Sequence, residues 1–505
     1  MRHILSIFII AVTLISCQQV DEDMIKIHRD KTISNNFIGN GVQWSAYPHA
    51  DTENADWGKL MTDEKWEMNF QRLDYMQPKM FRVLDQANWR YLVGFDKNDE
   101  PILDFNTPEI KALEKILGYA QKNNIEVLFG EWGTPYKMHD TDAGHGDKFT
   151  GANDPKWIKI VVEYLDYLIN TRGYTCLKYY NLVNEPNGDW ASTKGDFVEW
   201  SEGVKLLAEA LKERGLDKYI TVAGPDAVTR YDNPRSTYTG AGWVEETAKQ
   251  LDDIVGIYEV HDYTDYELVR SGGFKKYHGD IAQLMKHTNK QIIFGELGFS
   301  RNGKENQEKA AQDPYACEDS QFDVFKYSYG VDMADAVIQS MNAGYSGAAA
   351  WALDDAMHTC GDLGNKNELK RWGMWNSLGA ELCNNPEDEN MRPWFYSWSL
   401  LCRYFPTGSE IVETDTTGIE GLRLTAGVYK DDVTVALVNN SGMAQSISLG
   451  VQSSKPLKKF VYMDGERAVD ENGFPVPTEK DIKAKNGLKL DVPANSFILL
   501  TSLDY

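Results

Sequence analysis

The chain is poor in basic residues and in cysteine. Against 76 Asp and Glu stand 52 Lys and Arg, a formal net charge of −24 over 505 residues. A nucleic-acid binder needs a basic surface to meet phosphate. No basic patch interrupts this acidic balance, so nucleic acid is excluded as a partner and polyanionic glycans are disfavoured as substrates. The 6 cysteines have no metal-motif spacing. No Gly-rich phosphate loop follows the first strand in register, and no cofactor and no metal are expected. Internal repeats and low-complexity linkers are also missing. What is present is a globular composition, 42% hydrophobic and 12% aromatic, long enough for one large domain and a smaller one. The 14 Trp and 26 Tyr supply core, and also the kind of ring on which sugars stack.

One apolar run stands out, at the N-terminus. Arg2 and His3 precede Ile4–Val12, and Leu14-Ile15-Ser16-Cys17 follows. The run is too short to span a bilayer comfortably. It resembles a bacterial lipoprotein signal, which implies that Cys17 is lipidated and becomes the new N-terminus; an ordinary secretory signal is the alternative. The acidic stretch Asp21-Glu22-Asp23 resembles the surface-export signal of Bacteroidetes lipoproteins. The expectation is an outer-membrane lipoprotein held by its lipid anchor, facing periplasm or cell surface. The other cysteines are Cys176, Cys317, Cys360, Cys383 and Cys402, an odd number. Cys317 and Cys360 both lie in loop-like sequence, which leaves a disulfide between them open in an oxidising compartment.

From about residue 38 to 355, apolar strands alternate with amphipathic helices. The strand candidates are Phe37–Gln43, Met80–Leu84, Glu126–Gly130, Tyr179–Val183, Ile220–Ala223, Ile254–Val260, Gln291–Gly295 and Gly347–Trp351. Helical patterns fill the gaps, among them Pro108–Asn123, Pro155–Asn170, Asp196–Arg214 and Tyr327–Asn342. Val161, Val162, Leu165 and Leu168 recur at helical spacing, Pro155 suits a first turn, and Gly173 suits an end. Eight βα units predict an α/β fold of the (β/α)8 barrel type, with reactive groups after the C-terminal ends of the strands. A doubly wound open sheet is the competing fold.

Beyond the cluster Trp394-Phe395-Tyr396-Ser397-Trp398 the period changes to two. Leu422, Leu424, Ala426 and Val428 alternate with other residues, as do Val433, Val435 and Leu437, and the turn Asn439-Asn440-Ser441-Gly442 follows. That pattern predicts an antiparallel β-sandwich. The boundaries read as 1–17 signal, 18–36 tether and a strand joining the sandwich, 37–403 barrel and 404–505 sandwich.

Two glutamates end apolar runs. Glu185 closes Tyr179-Tyr180-Asn181-Leu182-Val183-Asn184 and precedes Pro186; Glu296 closes Gln291-Ile292-Ile293-Phe294-Gly295. They belong to the fourth and seventh strand candidates, which face each other across the mouth of an eight-stranded barrel. Two carboxyls across one sugar unit are what hydrolysis of a glycosidic bond requires, and retaining enzymes hold them roughly 5–5.5 Å apart.

These residues resemble clan A of the glycoside hydrolases along the whole barrel. The match consists of Asn184-Glu185 at strand four, Glu296 at strand seven, His261-Asp262-Tyr263 after strand six, Arg82 on strand two and Trp351 ending strand eight. The segment Arg403–Ser409 leading into strands resembles clan members with a side β-sandwich, such as the glucosylceramidase-like and β-xylosidase families. The resemblance implies that Glu296 is the nucleophile and Glu185 the acid/base. It implies that Asn184 meets the sugar 2-OH and that Arg82 and Tyr263 hold Glu296 ionised. His261 would line the cleft, and Trp351 would lie under the sugar. Trp44 and Trp132 are further substrate contacts, since both follow strands at the cleft mouth, as does Glu131. Asp354 and Asp355, after strand eight, either bind sugar hydroxyls or are solvated. The polar loop Met138–Asp147 reads as solvated.

Each residue also has a plainer reading: Glu185 and Glu296 as rim ion pairs, Arg82 as a structural ion-pair partner, and His261, Tyr263 and Trp351 as core. Asn184 could cap a turn. The expected substrate is a polysaccharide or its oligosaccharides. Long connections after strands three and eight would wall one end of the cleft and favour exo action or short oligosaccharides. Rival readings are a glycan-binding lipoprotein without turnover and a transglycosylase.

Overall fold

The computed structural model describes residues 24–45, 47, 57–135, 148–360, 367–485 and 487–505. The signal segment with Cys17 and the loop Met138–Asp147 lie outside the described residues.

The chain opens with a long strand, β1 (Met24–Phe37), and then builds a barrel. Its strands are β2 (Gly41–Gln43), β3 (Met80–Asp85), β4 (Glu126–Glu131), β5 (Leu177–Asn181), β6 (Thr221–Val228), β7 (Val255–Thr264), β8 (Ile292–Phe299) and β9 (Ala348–Ala350). They are parallel, pair in chain order, and close β9 onto β2, which excludes the open sheet. Between them run helices that start where a side chain can satisfy the free N–H groups. Thr62 caps α1 (Asp63–Met76), Thr107 caps α2 (Pro108–Asn123), Asp154 caps α3 (Pro155–Asp166) and Asp196 caps α4 (Phe197–Arg214). The expected helix to Asn170 changes at Tyr167, where a π-helical turn, Tyr167–Thr171, replaces the α form. The outer ring continues with α5 (Gly240–Gln250), α6 (Gly273–Leu284) and α7 (Tyr327–Asn342). No helix among the described residues is long and apolar enough to cross a membrane.

Inside, the barrel is layered, as closure demands. Ile38, Met80, Leu128, Ala223, Ile257, Ile293 and Ala349 form an apolar floor, with Tyr179 against it. Two residues further along, the interior turns polar: Arg82 on β3, Asn181 on β5 and Glu259 on β7, each buried. Strand β7 runs four residues beyond the expected Val260, so His261 and Tyr263 lie on the strand, above Glu259, on the same inward parity.

Two strands break that parity. Register shifts fall between Pro225 and Ala227 on β6 and between Phe294 and Glu296 on β8, both against β7. Such bulges re-aim a side chain. Ile293 points into the floor and Phe294 into the outer core, so without the extra residue Glu296 would point outward. The bulges turn Asp226 and Glu296 toward the barrel axis, on either side of β7.

After α8 (Phe395–Arg403) come β10 (Ser409–Thr414), β11 (Leu422–Tyr429), β12 (Asp432–Asn439), β13 (Gln445–Gly450), β14 (Leu457–Met463), β15 (Glu466–Arg467), β16 (Glu479–Ile482), β17 (Leu488–Val492) and β18 (Ser496–Thr501). Their order is β15-β14-β18-β12-β11-β10-β1-β13-β17, with β16 on β14. Strand β1 pairs antiparallel with β10 and parallel with β13, and joins the two halves of the sheet. Val433, Val435 and Leu437 of β12 share a core with Ile447, Leu449, Leu490 and Val492. Ala436 and Val438, on the other face, belong to the barrel's core. The Arg423 guanidinium is paired with Asp335 of α7 at 2.5 Å. Asn342 Nδ2 of α7 donates to the Leu424 carbonyl at 2.8 Å.

Candidate active site

Glu185 follows β5 in a left-handed backbone conformation, φ 48°, which costs a non-glycine residue about 1–3 kcal/mol. Its N–H donates to Asp226 Oδ2 at 2.9 Å, so the bulged carboxylate of β6 holds the turn in place. Glu296 comes from the bulge of β8. One carboxyl oxygen of each glutamate and a ring nitrogen of His261 all lie within 4.8 Å of one another.

Glu296 is held by three groups. Arg82 Nη1 donates to Oε1, the Tyr263 hydroxyl donates to Oε2, and His261 Nδ1 lies 3.6 Å from Oε2. Burial is the largest influence on this carboxyl and pushes its pKa up; the cations of His261 and Arg82 oppose it, Glu185 adds to it, and the Tyr263 hydrogen bond opposes it. The net direction is upward. The expectation that Arg82 and Tyr263 hold Glu296 ionised is therefore modified: they limit a rise that desolvation imposes. Tyr263 itself stays a phenol, because burial and Glu296 push it well above its ordinary value.

Arg82 is wholly buried and ties the site together. Nη2 donates to Asn184 Oδ1 at 2.7 Å and to Asp226 Oδ1 at 3.1 Å. That leaves the Asn184 amide NH2 as the end turned to a ligand. His261 Nδ1 meets Glu185 Oε1 at 2.9 Å. Its Nε2 lies 2.9 Å from Asp226 Oδ1 and 3.0 Å from Glu259 Oε1. Burial alone would pull this imidazole down; Glu296, Asp226 and Glu259 outweigh it and hold the ring well above its usual pKa. Its positive charge makes both nitrogens donors.

Asp226 and Glu259, two further buried carboxyls, were not among the residues expected at the site. Asn181 Nδ2 donates to both, at 2.8 Å and 3.3 Å. Burial works against ionisation of Asp226, yet His261 and Arg82 hold it well below the carboxylate range. Burial and the neighbouring Asp226 push Glu259 up to about 8. Of the two buried carboxyls under the site, one is thus charged and the other protonated at neutral pH. Among the described residues, Glu185, His261 and Glu296, or Asp226, Glu259 and His261, are close enough to share a cation. The Arg82 guanidinium already neutralises Asp226 and Glu296 from within.

The aromatic candidates divide. Trp351 stacks on His358 at 5.0 Å between ring centres and meets Trp132 edge-on at 6.1 Å, so the two form one wall of the mouth. Trp44 does not belong there. It is fully buried against Trp66, Phe70, Phe81 and Tyr119, between the barrel and its helices. Gln43 takes the inward parity, within 3.4 Å of Arg82, and Trp44 takes the outward one. Glu131 is displaced for the same reason. It follows inward Gly130 and accepts from Tyr91 Oη at 2.6 Å and from the Ala87 N–H at 2.9 Å, away from the cleft.

Asp354 and Asp355 are neither solvated nor open to a sugar. Asp354 accepts from Tyr47 Oη at 2.7 Å and from the Ser377 N–H at 2.9 Å. Asp355 is clamped by Arg392 and by Arg371, whose Nε lies 2.9 Å away. The long segment after β9 buries both as its own internal frame. A Cys317–Cys360 disulfide ties that segment to the one after β8. An aromatic that sequence reading passed over, Trp190, donates Nε1–H to Glu185 Oε2 at 2.7 Å.

Residues 173–330 match the family model described as Cellulase (glycosyl hydrolase family 5). Among solved structures, the chain is similar to a glycoside hydrolase family 30 subfamily 8 xylanase, Xyn30A, from Clostridium acetobutylicum. The two are 13% identical over 95% of this chain and 99% of that one, with a TM-score of 0.59. It is similar to SrfJ from Salmonella typhimurium, 14% identical over 97% and 94%, TM-score 0.65. It is also similar to an endo-β1,6-glucanase, 15% identical over 96% and 93%, TM-score 0.61. At these identities the likeness is one of fold. A search of curated proteins gave no match. The matched segment carries both glutamates, and with their mutual geometry it makes the chain an O-glycosyl hydrolase of the clan A type.

Proposed function

We propose that the chain is a retaining β-glycosidase that cleaves a polysaccharide or its oligosaccharides by double displacement. What carries this reading is the separation of Glu185 and Glu296, with carboxyl oxygens within 4.8 Å of each other. That spacing belongs to the retaining class; inverting enzymes leave about 6.5–9.5 Å for a water. In the first step a Glu296 oxygen bonds to the anomeric carbon while the glycosidic oxygen leaves with a proton from Glu185. In the second, Glu185 takes a proton from water, which attacks the same carbon and releases Glu296. Asn184, its carbonyl oxygen held by Arg82, presents its NH2 to the sugar 2-OH. Trp351 and Trp132 bound the sugar site.

The substrate of this reading is a neutral glycan, since the acidic balance of the chain disfavours a polyanion and Arg82 and His261, the cations beside the glutamates, are already paired with carboxylates. Xylan and β1,6-glucan are the first to test, because two similar structures are described as acting on them. We place the enzyme on the outer membrane through lipidated Cys17, which lies outside the described residues.

The test is a panel of aryl β-glycosides and neutral polysaccharides, with the anomer of the first-formed product read by NMR. Retention is expected, with no turnover by Glu296→Ala on any substrate. Glu185→Ala should keep part of its rate where the leaving group needs no proton. An inverted product, or a fully active Glu296→Ala, ends the proposal.

A further inference from the structure

Trp190 is the exposed aromatic beside the acid/base. Nearly half of its surface, 49%, is open to solvent. Its position is built rather than accidental. A Cβ added at Gly188 would lie 2.4 Å from the indole Cε2, so the absence of a side chain there makes the seat for the ring. Tyr231 packs against it at 4.7 Å, and the Tyr231 hydroxyl returns to Asp189 at 3.0 Å. Asn187 pins the same loop to β6, donating to the Val228 carbonyl at 3.0 Å and accepting from its N–H at 3.0 Å.

Both oxygens of Glu185 are therefore occupied by N–H donors: Oε1 by His261 and Oε2 by Trp190. An acid must bring one oxygen within about 2.6–3.2 Å of the glycosidic oxygen it protonates. His261 is locked in the barrel interior at 0% exposure, and Trp190 stands at the surface. The oxygen that Trp190 covers is thus the one that faces the departing sugar, and the ring beside it lies on that sugar's side.

We propose that Trp190, backed by Tyr231, is the stacking platform for the sugar on the leaving-group side, and that in the free enzyme its N–H holds Glu185 Oε2 until that sugar arrives. This rests on Glu185 being the acid/base.

The test compares full-length wild type, Trp190→Ala, Trp190→Phe, Gly188→Ala and Glu296→Ala. The substrates are an aryl β-glycoside and an unmodified oligosaccharide of the sugar that wild type cleaves. Trp190→Ala should lower the ratio of kcat/KM for oligosaccharide over aryl glycoside by about tenfold or more, mainly through KM. It should cut transfer to an added acceptor sugar, relative to water, by a similar factor. Gly188→Ala, which keeps the indole but fills its seat, should move both readouts the same way. Trp190→Phe should keep most of the oligosaccharide preference, because the ring remains.

Equal losses on both substrates in Trp190→Ala, with an unchanged transfer ratio, would overturn the platform. So would a Phe variant as impaired as Ala. An active Glu296→Ala would instead overturn the catalytic reading itself, so the two failures are told apart.

Discussion

Gly295 and Glu259 occupy the same space: a Cβ on Gly295 would lie 1.4 Å from Glu259 Oε1. The glycine sits at the bulge that turns Glu296 inward, and the carboxyl of Glu259 fills the slot it leaves. Nucleophile and buried acid are thus set by one backbone feature. Gly295→Ala should force the two apart, costing about 1–3 kcal/mol of stability by overpacking and most of the activity through a misplaced Glu296. Adding Glu259→Ala should restore part of the stability. Denaturant unfolding of the two single variants and the double variant measures the coupling; strict additivity would separate the residues.

Glu259 is protonated at neutral pH, so its amide isostere should replace it well. Glu259→Gln is expected to keep activity within about threefold between pH 6 and 7, since the change adds no charge there and one oxygen becomes NH2. The sign of the stability effect follows from linkage. The folded-state pKa is about 8, against a value of 4.5 for the free group. Over that window the unfolded chain has lost the proton and the native state keeps it, so wild type loses stability as pH rises. The Gln variant does not titrate there. The stability difference should therefore move in favour of Gln from about pH 4.5 to 8 and level off above. A flat difference across that range would mean that Glu259 is ionised throughout.

Tyr263 donates to Glu296, a hydrogen bond that favours the charged carboxyl. The nucleophile must be ionised, so the rising acid limb of kcat/KM reports its pKa in the free enzyme. Tyr263→Phe removes a donor from a carboxyl that burial already pushes upward. The acid limb should shift to higher pH, with kcat lower by about 10- to 100-fold at the optimum, since a charge-assisted hydrogen bond is worth about 1.5–3 kcal/mol. An unchanged limb would place Tyr263 in packing alone, against Trp372 at 5.3 Å.

The barrel was legible because each inner strand is buried on both faces and reads as an apolar run. Five of the eight candidates end within three residues of the observed strand; β6, β7 and β8 run four or more residues longer, past the point where the apolar run ends. Glu185 and Glu296 could be found as acids at strand ends. What could not be found was orientation. A single extra residue in β6 and in β8 reverses parity, and neither Pro225-Asp226 nor Gly295-Glu296 announces it. Asp226 and Glu259 were missed because a buried carboxyl in a strand looks like a surface one until the cations of Arg82 and His261 are placed beside it. Trp44 and Glu131 were misplaced for a reason the sequence did hold: each follows an inward residue, Gln43 and Gly130, so alternation sends it outward. Asp354 and Asp355 depended on the fold of a loop whose Arg371 and Arg392 lie far along the chain.

That parity argument predicts opposite phenotypes for two tryptophans. Trp44 packs wholly within the layer between barrel and helices and touches no part of the cleft. Trp44→Ala should cost about 3–5 kcal/mol, the range for deleting a large buried aromatic, and the molecules that remain folded should bind substrate with unchanged KM. Trp351 stands at the mouth, 4% exposed, beside Trp132 and His358. Trp351→Ala should raise KM by about tenfold or more in the molecules that remain folded, whatever it costs in stability. Thermal unfolding and steady-state kinetics on the same preparations separate the two. A raised KM in Trp44→Ala at temperatures where it is fully folded would return that residue to the cleft and undo the assignment of inward and outward positions on β2.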